Sequence, residues 1–321
     1  MNELMEKRYK VVFMGTPEFA VPSLTALLND AQFEIVAVVT QPNKPVGRKQ
    51  VITPSPVKVL AQKKGIVVLQ PVKVKTGVGF WNELRELKPD VIVVAAYGRI
   101  LPQEILDIPP KGIVNVHASF LPKYRGASPI SASILNGDSE TGVTIMKMEL
   151  AMDTGEIIAK SQSVAISPTD TTATLTEKLA EVGAQTLIEG LPKYLNGEIT
   201  PQPQDNQKAT YVKLIKKEDG LIDWHNNEEH IARQTRAYFP WPSAYTRLSL
   251  GSARDTSQLV KILSAEVNPS VENPKGTIAK IDGRLYIGRL KISQLQLAGK
   301  KPMDGKAFLS GYPQSLGQSL I

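Results

Sequence analysis

Cysteine is absent from all 321 residues, so disulfides, thiolate chemistry and a cysteine-built zinc site are excluded. The absence fits a reducing compartment. Histidine is nearly as scarce: His117, His225 and His230 are the whole complement and show no ligand spacing, so no metal centre is expected. Long apolar runs are missing too. The longest covers residues 91–97, far short of the roughly 20 residues a membrane helix needs. The N-terminal stretch carries Glu3, Glu6, Lys7, Arg8 and Lys10 with no apolar core, so no signal peptide is expected and the cytoplasm is the expected location. There is no internal repeat, low-complexity tract or G-x-G-x-x-G fingerprint. The last absence disfavours a nicotinamide dinucleotide site.

What is present is ordinary in bulk. Apolar residues make up 42% and charged residues 21%, as in globular proteins. The length exceeds one comfortable core, so two domains are expected. The formal charge of +7 is unevenly placed: residues 209–321 hold 16 Lys+Arg against 10 Asp+Glu, and residues 1–208 hold 22 against 21. A basic C-terminal part suits a polyanionic partner and reads equally as a solvated surface.

Along residues 1–195, runs dense in Val and Ile at 9–14, 34–40, 66–69, 91–95 and 113–116 lack strict alternation, the pattern of strands buried on both faces. Helical patterns lie between them at 17–28, 56–64 and 80–87, with Thr16 and Ser55 as N-caps before a proline. This rhythm predicts an open, doubly wound, Rossmann-like and mostly parallel α/β sheet. Two further strands at 142–147 and 156–164 flank a turn at 151–155, and 172–195 reads as a long amphipathic helix. Residues 196–209 read as a linker, and 210–321 carries short β-like runs that fit a small β-barrel or sandwich.

His117 lies just past the strand at 113–116, in Asn115-Val116-His117-Ala118-Ser119. In open α/β sheets, sites form outside the carboxyl ends of the strands. Alternation puts Asn115 and His117 on one face, so both can address one reacting atom. A lone histidine is more often structural; the strand-end position and the Asn partner reverse that preference. The next stretch, Phe120-Leu121-Pro122-Lys123-Tyr124-Arg125-Gly126, combines a ring, two cations and rigid backbone. It can grip a planar anionic ligand and serves equally as an exposed connection. Asp153 sits in a turn whose chemistry suits an Asx-turn. The loop at 41–53, with Lys44, Arg48 and Lys49, reads by itself as a mobile basic surface loop.

Taken together, Asn115-Val116-His117, the 121–126 loop and Asp153-Thr154-Gly155 closely resemble the active site of the formyltetrahydrofolate-utilising formyltransferases. The stretches at 12–20, 40–48, 95–102, 140–146, 222–224 and 236–242 resemble, nearly end to end, the branch that acts on methionyl-tRNA. The resemblance implies a catalytic domain followed by an oligonucleotide-binding-like barrel. It implies that 10-formyltetrahydrofolate, as co-substrate, donates a formyl group to the α-amino group of methionine on initiator tRNA, with no metal, membrane or obligate protein partner. Asn115, His117 and Asp153 are then catalytic. Asn115 and a His117 N–H stabilise the oxyanion, and Asp153 orients His117 and helps remove the amine's proton. Folate contacts fall to Tyr97, Gly98, Ile100, Ser119, Leu121, Pro122, Lys123, Tyr124, Arg125 and Gly126. Contacts with tRNA fall to Lys44, Arg48, Lys49, Lys213, Lys216 and Lys217, with Arg48 foremost at the acceptor end. Further candidate phosphate contacts, by charge, are Arg247, Lys261, Arg284, Arg289, Lys291, Lys300 and Lys301, while Trp224 and Trp241 are expected to pack the small barrel.

The chain departs from the family at Ala118 and Phe120, where Gly and Leu are usual, and at Lys123, often Arg. Three rival readings remain open at this stage: a sugar-amine formyltransferase, a hydrolase releasing formate from the folate, and a non-catalytic RNA-binding module.

Overall fold

A computed structural model describes residues 8–47, 50–250 and 257–321. The readings made for the first seven residues, and for Arg48 and Lys49, lie outside the described residues. The chain forms two compact units. The first comprises Met1–Pro129, Glu140–Ala165 and Thr176–Lys213, and the second Ile130–Ser139, Ile166–Leu175 and Leu214–Ile321.

The first unit is built on seven strands: β1 (Tyr9–Gly15), β2 (Phe33–Val39), β3 (Val68–Leu69), β4 (Val91–Ala95), β5 (Ile113–His117), β6 (Thr144–Lys147) and β7 (Ile157–Lys160), in the order β7-β6-β5-β4-β1-β2-β3. Pairing is parallel from β3 to β5 and antiparallel at β6 and β7. All five residues of β4 are buried, which is why its sequence is a continuous apolar run rather than an alternating one. The chain runs outward from β1 through β2 and β3, then returns to the other side of β1 for β4 and β5. Sites in such sheets form where strand order reverses, at the carboxyl ends. The helix Thr172–Leu195 forms over the span expected from its periodicity. Gly183 admits it against the sheet, since a Cβ there would stand 3.0 Å from Val116 and 3.4 Å from Val143.

Two local expectations separate. Ser55 caps the helix Pro56–Lys63, its Oγ accepting from the Lys58 N–H at 3.2 Å. Thr16 caps nothing: a short 3-10 turn at Glu18–Ala20 precedes the helix Val21–Asn29, and the Thr16 hydroxyl accepts from the Gln41 N–H instead. The expected linker also departs from its reading. Inside it Gln202 forms an antiparallel bridge with Ile157, and just beyond it Tyr211–Val212 pairs in parallel with Arg125–Gly126. Its polar composition hides backbone groups that pair with neighbouring main chain, a contact that side-chain patterning does not register.

The second unit carries an antiparallel sheet of β8 (Ala244–Leu248), β9 (Gln258–Val267), β10 (Ile278–Ile281), β11 (Arg284–Ile287), β12 (Leu290–Leu297) and β13 (Met303–Asp304). Its order is β8-β9-β12-β11-β10, with β13 on β12. Register shifts around Ser264 bend the long strand β9, as curved small sheets require. One face of this sheet buries Val260, Ile262, Leu290, Ile292, Leu295 and Leu297 in a single core with Trp224 and Phe308. The indole N–H of Trp224 reaches the Thr246 hydroxyl at 3.0 Å. Trp241 does not share this core; it is 58% exposed. Among the described residues, no helix is long and apolar enough to cross a membrane.

The contrast between the two expected caps is measurable. Ser55→Ala should lower the stability of the helix Pro56–Lys63 by about 1 kcal/mol, read as faster amide hydrogen exchange across that helix. In Thr16→Ala, exchange in Val21–Asn29 should stay unchanged.

Candidate active site

The carboxyl edge of the parallel sheet gathers the chemistry-bearing residues of the first unit. Strand β5 ends at His117, which is buried, while Asn115 two residues earlier is half-buried. Among the described residues the Asn115 side-chain amide makes no hydrogen bond. The His117 Nε2 lies 3.0 Å from the Tyr124 carbonyl oxygen. A carbonyl only accepts, so Nε2 carries the hydrogen. The other ring nitrogen, Nδ1, stands 3.7 Å from Asp153 Oδ2. Burial pushes the imidazole pKa below its usual 6.5, opposed by the Asp153 charge and by the bond to Tyr124. In the neutral ring Nδ1 is therefore a lone pair on the side of a carboxylate, a site prepared to take a proton rather than to donate one.

Asp153 occupies the left-handed backbone region, with φ of 54°, a conformation that residues other than glycine rarely adopt. Three main-chain contacts hold the turn. The Gly126 N–H donates to Asp153 Oδ2 at 2.7 Å, and the Gln204 amide NH₂ donates to the carbonyls of both Asp153 (2.8 Å) and Gly155 (2.7 Å). Gly155 admits no side chain, because a Cβ would lie 2.0 Å from the Lys147 carbonyl oxygen.

The 119–126 loop is knitted by its own backbone and by the segment after residue 204. Thr144 Oγ1 accepts from the Leu121 N–H and donates to the Ser119 carbonyl. The Tyr124 N–H donates to Thr210 Oγ1 and the Arg125 N–H to the Thr210 carbonyl, both at 2.8 Å. Gly126, at φ of 119°, passes so near Val212 that a Cβ would sit 2.1 Å from its carbonyl oxygen. Phe120, one of the family departures, lies against Gly142, where a Cβ would meet its ring at 2.2 Å.

The residues assigned to folate by resemblance divide into two sets. Gly98, Ile100 and Lys123 are exposed, Pro122 and Gly126 are half-buried, and these line the surface of the loops. Ser119, Leu121, Tyr124, Tyr97 and Arg125 are buried. Tyr97 packs in the core with Val94, Leu101 and Ile105. Burial pushes its phenol pKa up to about 12, with Arg99 pulling the other way. Arg125, expected to meet the ligand, turns inward. Its guanidinium donates to Gln204 Oε1 from Nε (3.1 Å) and Nη2 (2.8 Å), to Asn206 Oδ1 (2.7 Å) and to Tyr211 Oη (3.0 Å). Four hydrogen bonds to neutral acceptors occupy this cation and tie it to the segment at residues 204–211. Sequence reasoning missed Gln204, Asn206, Thr210 and Tyr211. They lie in or beside a stretch without apolar periodicity, where only their hydrogen-bonding capacity could have marked them.

A cleft of about 700 Å³ opens beside the ends of β1 and β2, lined in part by Thr16, Pro17, Gln41, Asn43, Lys44 and Ser55. One wall is fixed by Gln70, whose amide donates to Thr40 Oγ1, the Gln41 carbonyl and Asn43 Oδ1, while its oxygen accepts from Lys58 Nζ at 2.6 Å. Lys44 is exposed and donates to Gln41 Oε1. Lys213, Lys216 and Lys217 are exposed as well. Several other cations are engaged internally: Arg289 with the buried carboxylate of Glu228 at 2.6 Å, Lys291 with Glu266, and Lys300 with Tyr312.

Known proteins match both units. The family model described as formyl transferase covers residues 8–191, and the formyl transferase C-terminal domain covers residues 214–313. A methionyl-tRNA formyltransferase of Caldanaerobacter subterraneus subsp. tengcongensis is 45% identical across 94% of this chain and 97% of its own length. One from Bacillus cytotoxicus is 42% identical across 97% of this chain and 98% of its own. Among solved structures, the Helicobacter canadensis N-formyltransferase complexed with folinic acid and dTDP-3-aminofucose superposes with a TM-score of 0.65 at 22% identity, over 91% of this chain and 100% of that one. HypX from Aquifex aeolicus in complex with tetrahydrofolic acid gives 0.60 at 17% identity over 98% of this chain. The chain spans about half the length of HypX, covering 49% of it, and these two likenesses speak for the fold alone. With relatives above 40% identity over almost the whole sequence and both family domains in order, the chain belongs to the formyl transferase family, on its methionyl-tRNA formyltransferase branch.

Proposed function

We propose that the chain transfers the formyl group of 10-formyltetrahydrofolate to the α-amino group of methionine esterified to initiator tRNA, in the cytoplasm. The observation that carries this reading is the 45% identity to a methionyl-tRNA formyltransferase across both units, joined to Asn115, His117 and Asp153 at the carboxyl edge of the sheet. The folate is a substrate, and it supplies the activated formyl carbon. The half-buried Asn115 amide, with no hydrogen bond among the described residues, fits a reacting carbonyl oxygen as a donor. The exposed Gly98, Ile100 and Lys123 suit its planar and anionic parts.

The amine attacks as the neutral base. Its nitrogen bonds to the formyl carbon, the carbonyl oxygen gains negative charge, and the bond to the folate nitrogen then breaks. Asn115 donates to that oxygen. His117 takes the amine's proton on Nδ1, and Asp153 stabilises the imidazolium so formed until the proton passes to the departing folate nitrogen. This differs from the sequence reading, which gave a His117 N–H to the oxyanion; the ring's single N–H is spent on the Tyr124 carbonyl. The acceptor end of tRNA lies by the basic 41–53 loop, with Lys44, Arg48 and Lys49 nearby, while Lys213, Lys216 and Lys217 add phosphate contacts.

Three outcomes test this. With formyl-labelled tetrahydrofolate, label should pass to charged initiator tRNA and to neither uncharged tRNA nor a UDP-amino sugar; label on the sugar would replace the reading with sugar-amine formylation. Binding to tRNA should weaken steeply between low and physiological salt, and Arg48→Ala should reduce turnover on tRNA.

Asn115→Ala should slow transfer on the order of 100–1,000-fold. His117→Ala and Asp153→Ala should lose most activity with tRNA affinity nearly intact. Near-native turnover in any of the three removes that residue from the mechanism.

The pH profile carries a sign. The base must be neutral, and burial holds its pKa below the usual 6.5. Below the titration of the substrate amine, kcat/KM should therefore show an enzyme ionisation under pH 6.5, and Asp153→Asn, which removes the charge that raises the pKa, should move it further down. A limb that stays put in Asp153→Asn assigns the titration elsewhere.

A further inference from the structure

The inward-turned Arg125 poses a question that ligand binding does not answer. Removing a guanidinium from water is costly unless its N–H groups find acceptors, and this one, 1% exposed, is satisfied by Gln204, Asn206 and Tyr211. Its flat fork fits that purpose, because Nε and Nη2 converge on the single oxygen Gln204 Oε1. With the oxygen fixed, the amide cannot flip, and its NH₂ points to the opposite side. There it meets the carbonyls of Asp153 and Gly155, the two ends of the turn that presents the carboxylate. The residue after Arg125 completes the grip, since the Gly126 N–H holds Asp153 Oδ2.

We infer that Arg125 and Gln204 form a positioning relay that sets the Asp153 carboxylate against His117, so that Gln204, far along the chain in a stretch without apolar pattern, is a positioning residue for the reaction. The inference rests on the proposed catalytic role of Asp153. The left-handed backbone at Asp153, with φ of 54°, makes external support necessary. A strained turn persists only where its surroundings over-determine it. Without the two carbonyl contacts the turn relaxes, and the Gly126 N–H alone remains to hold the carboxylate. Arg125 acts at one remove by fixing which end of the Gln204 amide faces the turn.

Gln204→Glu separates positioning from folding. It keeps an oxygen toward Arg125, now as an ion pair, but replaces the NH₂ donor with an oxygen facing two carbonyls. Thermal stability should therefore be retained while the turn is displaced. In single-turnover formyl transfer, Gln204→Glu and Gln204→Ala should slow the step about 10–100-fold, with KM for folate and for charged tRNA within about twofold. In Gln204→Ala, which adds no charge, the acid limb of the rate should move to lower pH, because the Asp153 carboxylate that raises the His117 pKa is no longer held against the ring. Placed on Asp153→Asn, either substitution should add less than about threefold. Equal losses on the native and Asp153→Asn backgrounds, or a pH profile unchanged by Gln204→Ala, would overturn the relay. If Asp153→Asn is itself fully active, the catalytic reading fails first, and the two failures remain distinct. Arg125→Met should lower stability and rate together; Arg125→Lys, which cannot reproduce the fork, should recover only part of either.

Discussion

A buried guanidinium must be given acceptors wherever the chain can supply them, and in the first unit this requirement ties remote segments together. Arg125 draws Gln204, Asn206 and Tyr211 onto the loop that follows His117. The same approach allows Tyr211–Val212 to pair with Arg125–Gly126. That pairing leaves no room for a side chain at residue 126 and aims its N–H at Asp153. The order of dependence thus runs from one cation to a two-residue ladder, from the ladder to a main-chain donor, and from the donor to the carboxylate beside the imidazole. Burial alone would have made an apolar residue adequate at position 125. Hydrogen bonds to a charged group contribute about 1.5–3 kcal/mol each, and here their directions matter more than their sum.

The sequence was legible where burial writes a period. The strands of the central sheet and the helix Thr172–Leu195 follow from Val and Ile runs and from 3.6-residue spacing. The position of Asn115 and His117 at a strand end followed from the same pattern. Legibility failed where polar groups choose among partners. Thr16 and Ser55 have the same flanking chemistry, yet only Ser55 caps a helix, because a loop amide at Gln41 claims the Thr16 hydroxyl. Gln204 lies in a stretch whose composition says linker, and its two amide ends are used only in the folded chain. Trp241 was expected inside and lies out, since the short segment Phe239-Pro240-Trp241-Pro242 has no periodicity to say which ring faces inward.

The imidazole shows how local competition sets a chemical role. Burial disfavours its charged form, and Asp153 and the Tyr124 carbonyl favour it; burial prevails. A ring kept neutral at rest, with a carboxylate 3.7 Å from its open nitrogen, is stable in one protonation state and well served in the other. That is the condition for moving a proton during a step rather than holding one permanently. The proposed roles also suit an asparagine rather than a second imidazole at position 115: an amide NH₂ donates without titrating, so an oxyanion site built on it would stay constant while its neighbour changes charge.

Affinity for a nucleic acid and choice among nucleic acids rest on different physics in this chain. The pairs Arg289–Glu228 and Lys291–Glu266 leave the basic excess of residues 209–321 unchanged but engage two of its cations internally. On the proposed reading, the exposed lysines that remain, among them Lys216 and Lys217, meet phosphates, and phosphate contacts position RNA without reading it. Selection has to come from groups that discriminate shape and hydrogen bonding at unpaired nucleotides. The cleft beside β1 and β2 is lined mostly by apolar groups, and its wall offers Gln41 and Asn43, held through Gln70 and Lys58, as fixed polar groups of that kind. On the proposed reading, electrostatic attraction in the C-terminal part and recognition at the sheet's carboxyl edge would therefore be altered separately, the first by salt and the second only by changing side chains.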